Sequence, residues 1–182
     1  MVKPIEFETE RLRVRQWRDL DRKPFAAMTA DHRVMEFFPA VLTRAQSDGF
    51  IDFVSGVIAD RGWSFWALEK KATGEFLGFT GLHIPRPDLP FAPCVEIGWR
   101  LAYAHWGKGY ATEAAKGVLD IGFNRLGLAE IVSFAVIGNR NSRAVMERLK
   151  MKYSGNFEHP GLPEGSPLRA HCLYRISRHD LP

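Results

Sequence analysis

The segment Trp106-Gly107-Lys108-Gly109-Tyr110-Ala111-Thr112-Glu113-Ala114 constrains this chain most. Two glycines within three residues stand between an alternating run, residues 94–101, and a run of helical character, residues 110–125. Glycine takes backbone conformations closed to other residues, so the chain can bend sharply here and turn its N–H groups outward. A helix starting straight afterwards adds its own unpaired N–H groups and the positive end of its dipole. Lys108 adds a charge. Such a turn suits an anion such as a pyrophosphate. It equally suits a plain strand-to-helix connection whose glycines answer only a steric need.

What precedes the turn narrows the architecture. Residues 63–69, 76–84 and 94–101 read as strands, joined by the tight turn Thr73-Gly74 and by the proline-rich loop Pro85 to Pro93. Neither connection can hold a crossover helix, so these strands are antiparallel neighbours. The phosphate-loop pattern GxxxxGK[ST] fails, because Gly109 follows Lys108 and position 102 is Ala. The dinucleotide pattern GxGxxG matches at Gly107 and Gly109 but has Thr112 in place of its third glycine. That fingerprint belongs at the first turn of a parallel βαβ unit, and three antiparallel strands before it argue against a Rossmann site.

The rest of the chain fills in a mixed α/β pattern. Residues 10–16 alternate, with Leu12 and Val14 on one side and Arg11, Arg13 and Arg15 on the other, which reads as a strand with one wet face. Short helices are expected at 19–29, with Pro24 in the first turn, and at 31–39, ended by Pro39. Thr43 can cap a longer amphipathic helix carrying Phe50, Ile51, Val54, Val57 and Ile58, which Arg61-Gly62 ends. After the turn, Ala111, Ala114, Ala115, Val118 and Gly122 give the next helix a narrow face able to lie close to a sheet, and Gly127 stops it. Residues 130–137 read as a buried, parallel strand, 141–149 as a helix, and 151–157 and 168–177 as strands. No linker interrupts the 182 residues, so the expectation is a single domain over 1–182.

Composition excludes several classes. Hydrophobic residues at 46% and charged residues at 25% describe a globular chain rather than a disordered one. A net charge of +4 is too mild and too dispersed for a nucleic-acid surface. Cys94 and Cys172 stand alone, too few for a cysteine zinc site and typical of a reduced, cytoplasmic protein. Residues 1–8 carry acids and no apolar run, so no leader is read, and no stretch is apolar for long enough to span a membrane. The six histidines show no HxxxH or HExxH spacing, so no metal is expected.

The segment Gly-Lys-Gly-Tyr-Ala-Thr-Glu-Ala, following Glu96-Ile97-Gly98-Trp99-Arg100-Leu101, resembles the acetyl-CoA signature Q/R-x-x-G-x-G/A of the GNAT acyltransferases. Trp106 stands at the usual Gln/Arg position. Asn139-x-x-Ser142 with Val145-Met146-Glu147-Arg148-Leu149, and Glu10-Arg11-Leu12-x-x-Arg15 near the start, resemble the branch that acetylates ribosomal-protein N-termini, the RimJ/RimL-like enzymes. Lys150 replaces a usual Gly, so the turn there is expected to differ. The resemblance covers essentially the whole chain. It implies a GNAT fold: a mixed, mostly antiparallel sheet with flanking helices and a splayed central strand pair, 94–101 against 130–137.

It also implies an N-acetyltransferase that moves an acetyl group from acetyl-CoA to a primary amine by direct attack, the acceptor being a protein N-terminus or a small amine. Trp99 and Leu101 would meet the pantetheine arm through their main chains, and Asn139 and Ser142 would face the same arm and its thioester. Trp106, Gly107, Lys108, Gly109, Tyr110, Ala111 and Thr112 would hold the pyrophosphate. Glu96 matches a strand position where many such enzymes carry a catalytic Glu; it can equally be a half-exposed glutamate with an ion partner. His83 is either a second base or an ordinary strand-end histidine, and Ser142 either protonates the leaving thiolate or caps its helix. The tyrosine that serves as acid in many GNAT enzymes is absent, since Met146 stands there. Phe37 and Phe38 fall where such folds shape the acceptor pocket, or simply pack in the core. A non-catalytic acyl-CoA sensor on the same fold needs the glycine turn but neither Glu96 nor Ser142. A homodimer is left open.

Overall fold

The computed structural model describes residues 2–180. Backbone packing divides the chain into two units, Met1–Gly81 with Gly98–Gly117, and Leu82–Ile97 with Val118–Pro182.

The first unit begins with β1 (Phe7–Glu8) and β2 (Leu12–Arg15), followed by α1 (Arg22–Thr29), α2 (Arg44–Arg61), β3 (Phe65–Lys70) and most of β4 (Phe76–His83). It also takes in the later part of β5 (Glu96–Leu101) and the start of α3 (Tyr110–Asp120). Its strands stand in the order β1-β2-β3-β4-β5, with antiparallel partners Phe7↔Val14, Leu12↔Lys70 and Phe65↔Gly81. A capping box starts α2 as expected: the Thr43 hydroxyl accepts from the Gln46 N–H, and the Gln46 side chain accepts from the Thr43 N–H at 2.9 Å. Gly62 ends the helix at φ 89°. The helix expected at 31–39 is instead a series of turns. The Asp31 carboxylate accepts from the backbone N–H of Arg33 at 3.0 Å and from its guanidinium, which holds a turn in place of helix. Val34 and Met35 are buried all the same, in a cluster with Phe25, Met28, Ile51 and Phe79.

On the face of β2 expected to be wet, Arg11 is exposed and Arg13 half-exposed, but Arg15 is not. Arg15 is 3% exposed, donating to both oxygens of Asp21 at 2.7 and 2.9 Å and to Glu69 at 2.7 Å. Glu69 also accepts from Arg13 and Arg18. Alternation correctly separates the two faces, but an arginine can be buried once carboxylates satisfy its N–H groups. One of those carboxylates, Asp21, is six residues on, and the other, Glu69, comes from far along the chain.

The second unit holds the start of β5, β6 (Glu130–Val136), α4 (Arg140–Arg148), β7 (Lys152–Glu158) and β8 (Ala170–Ser177), in the strand order β5-β6-β8-β7. β5 runs parallel to β6, with Glu96 opposite Val132. β8 is antiparallel to β6 from Glu130↔Ser177 to Val136↔His171, and antiparallel to β7. α3 runs on into a single π-turn, Ile121–Arg125, where the Leu126 N–H reaches the Ile121 carbonyl at 3.0 Å. Lys150 does not alter the turn after α4: it adopts φ 64°, the left-handed conformation a glycine would take. That conformation costs a side-chain-bearing residue roughly 1–2 kcal/mol.

Candidate active site

Both glycines of the turn use the freedom expected of them, Gly107 at φ 73° and Gly109 at φ 80°. Residues 107–109 are exposed, and nothing lies within 4 Å of a Cβ added at Gly107. α3 begins at Tyr110, so the first N–H groups of the helix have no intrahelical acceptor and lie beside this open turn. Its geometry fits a pyrophosphate: room, left-handed backbone, helix-start donors and the exposed Lys108.

Two residues hold the turn in place. The Arg11 guanidinium donates to the Lys108 carbonyl at 3.0 Å and lies 4.6 Å from the centre of the Tyr110 ring. Glu113, in the first turn of α3, accepts from the Thr9 hydroxyl at 2.6 Å, the Arg11 N–H at 2.8 Å and the Arg11 guanidinium at 2.6 Å. Burial raises the Glu113 carboxyl, but these donors outweigh it and hold the group below its usual range. This role of Arg11 and Glu113 is not among the sequence expectations. An acid in the first turn of a helix was the available signal.

Trp106 serves the fold. Its indole N–H donates to the Leu101 carbonyl at 2.8 Å, and its ring packs on the aromatic cluster of the first unit. The Leu101 carbonyl, expected to face the pantetheine arm, thus already accepts one hydrogen bond. Trp99 is half-buried on β5.

Trp99, Leu101 and residues 106–112 belong to the first unit; His83, Glu96, Asn139 and Ser142 belong to the second. Asn139 is the cap of α4, its Oδ1 accepting from the Ser142 N–H at 3.1 Å. Ser142, weighed as a cap from the sequence, is therefore the residue being capped. Its hydroxyl takes no part in that bond, and the Asn139 amide keeps its NH2 for other partners. His83 is half-buried at the end of β4.

Glu96 is half-buried at the start of β5, and burial lifts its carboxyl to about 7. No arginine, lysine or histidine pairs with it among the described residues, so the reading of an ion-paired surface glutamate loses its partner. Cys94 and Cys172 are both free, and burial raises both thiols, which disfavours thiolate chemistry. His171, the neighbour of Cys172, is buried with its ring Nδ1 on the Arg169 carbonyl at 3.0 Å. Among the described residues no cluster of His, Cys, Asp and Glu is placed to hold a metal ion, and no helix is long and apolar enough to cross a membrane.

Arg100, also on β5, drew no notice in the sequence. Its guanidinium carbon lies 3.8 Å from the centre of the Phe38 ring and 5.3 Å from that of Phe79. Phe38 is 37% exposed, so it is a cover at the surface rather than part of the core.

A mixed, mostly antiparallel sheet with flanking helices and a glycine turn opening onto a helix start defines an acyl-CoA-using transferase fold. Residues 11–152 match the Acetyltransferase (GNAT) domain, and the chain belongs to that family of acetyltransferases. It is 34% identical to the uncharacterized protein YkkB of Bacillus subtilis over 147 residues, 80% of this chain and 84% of that one. Among solved structures, a GNAT-family acetyltransferase from Bacillus anthracis superposes with a TM-score of 0.81 at 24% identity, covering 96% of this chain and 99% of that one. RimJ of Mycobacterium smegmatis, in complex with CoA-disulfide, superposes with a TM-score of 0.79 at 23% identity, covering 98% and 90%. Both likenesses support the fold.

Proposed function

We propose that the chain is an acetyl-CoA-dependent N-acetyltransferase in which a primary amine attacks the thioester directly, with Glu96 as the base. One observation carries this reading: a half-buried carboxyl with no ion partner among the described residues, poised at about 7. A base near the working pH combines a useful ionised fraction with enough basicity to take a proton. Acetyl-CoA supplies an acetyl thioester, whose carbon–sulfur bond is exchanged for a carbon–nitrogen bond to the acceptor. Glu96 takes the proton the ammonium must lose. Gly107 to Thr112 bind the pyrophosphate, the Asn139 NH2 donates to the pantetheine arm, and the Ser142 hydroxyl supplies a hydrogen bond at the departing sulfur. His83 is the reserve candidate for base. The likeness to RimJ supports a place in the RimJ/RimL-like branch with an N-terminal or small-molecule amine as acceptor. Two free thiols support a cytoplasmic location.

The test is release of free CoA from acetyl-CoA with a panel of small amines and N-terminal peptides, for wild type and Glu96→Gln. Turnover that falls about 10²- to 10⁴-fold in the variant, with acetyl-CoA affinity kept, supports Glu96 as base. Tight acetyl-CoA binding without turnover of any acceptor would instead make this a sensor on a transferase fold.

A further inference from the structure

Three residues of β5, Glu96, Gly98 and Arg100, alternate onto one face of the strand. Around Gly98 and Arg100 that face meets aromatic rings. A Cβ added at Gly98 would lie 3.1 Å from the Phe65 ring, and Phe38 and Phe79 flank the Arg100 guanidinium. Rings stabilise the charge of a guanidinium but offer its N–H edges no acceptor. The Nε of Arg100 is buried without a hydrogen-bond partner, and no carboxylate pairs with the side chain among the described residues. Arg15, a buried arginine of the same unit, shows the contrast, because Asp21 and Glu69 satisfy it. Burial lowers Arg100 only to about 10, so it stays charged at neutral pH. A guanidinium whose Nε is buried without an acceptor costs the fold free energy that an oxyanion arriving in a fork geometry would recover. Arg100 as a whole is half-buried rather than enclosed, beneath the surface ring of Phe38.

We propose that Arg100 is the specificity residue for the acceptor: it receives a carboxylate or phosphate group of the amine that is acetylated. This rests on the acetyl-transfer reading above.

The test compares acceptors in matched pairs that differ only in the anion: 4-aminobutyrate against 4-aminobutanamide, phosphoethanolamine against ethanolamine, and a peptide beginning with Asp against the same peptide beginning with Asn. CoA release gives kcat/KM for each, in wild type, Arg100→Met and Arg100→Lys. In wild type the anionic member of at least one pair is preferred, and which pair shows it separates carboxylate from phosphate. In R100M that preference falls about 10- to 100-fold through KM, and R100K restores part of it. A purely structural role would lower both members of a pair together. No preference in wild type, or one that survives in R100M, overturns the proposal while leaving acetyl transfer standing. Release from no acceptor at all sinks the acetyl-transfer reading, and this one with it. Met among these rings should keep the fold; if R100M does not fold, the wild-type preference decides alone.

Discussion

Glu96 ties stability and activity to the same proton. Its carboxyl holds that proton up to about pH 7 in the folded chain, whereas the ordinary value is 4.5. The stability it contributes is therefore full below pH 4.5 and is lost as pH rises through 7. Urea denaturation of wild type and Glu96→Gln across this range should show the stability difference moving against wild type as pH rises, since glutamine has no proton to lose. Activity should run the other way, because the proposed base is the carboxylate. The kcat/KM of wild type should climb through pH 7, and the residual rate of the variant should lack that limb. Alternation along the strand already set Glu96 apart from Ile97 and Trp99 in the sequence. Its depth of burial was not legible, because burial depends on the elements packed over the strand. Arg100 was hidden for the same reason: an arginine in a strand reads as a wet edge until Phe38 and Phe79 are seen beside it.

Whole elements were easier to read where a local device defines them. The α2 cap at Thr43 and its stop at Gly62 are short-range chemistry and were legible. β1 was missed because two residues cannot show a period, and 31–39 was misread because Asp31 diverts the backbone into a turn. At the start of α4, Asn139 has two separable tasks. Its carbonyl oxygen caps the helix, and its NH2 is the donor proposed for the pantetheine arm. Asn139→Asp keeps an acceptor at the helix start and should hold the melting temperature while weakening acetyl-CoA binding. Asn139→Ala should lose both, with a stability cost of about 0.5–2 kcal/mol. Thermal melts and acetyl-CoA titration of the two variants check this. Equal loss of affinity and stability in both would mean that the amide acts only as a cap.

At the scale of the whole molecule, binding and folding are linked. A ligand present at about 100 times its Kd adds roughly 2.7 kcal/mol to the folded state. For a chain of this size, 1 kcal/mol corresponds to about 2–4 °C, so saturating acetyl-CoA should raise the melting temperature by about 5–10 °C. NAD and ATP should not, and a shift with either in place of CoA would revive the nucleotide reading of the glycine turn. Element order and the antiparallel-then-parallel change of strand direction were legible because connection length alone decides them. The Arg15–Asp21–Glu69 network was not, because Glu69 reaches Arg15 from 54 positions away and only the folded chain brings them together.

Trp106 has given its indole N–H to the Leu101 carbonyl, so in the proposed reading main chain and Lys108 are what meet the phosphates. A binding site made largely of backbone tolerates mutation unevenly. Deep mutational scanning selected for acetyl-CoA binding should find position 108 open to arginine and closed mainly to acidic residues. Positions 107 and 109 should accept almost nothing but glycine, since each left-handed backbone would have to be rebuilt. Position 106 should fail for loss of fold, not of ligand. The ligand record of this chain is thus written in which residues it can do without a side chain, and only secondarily in which side chains it carries.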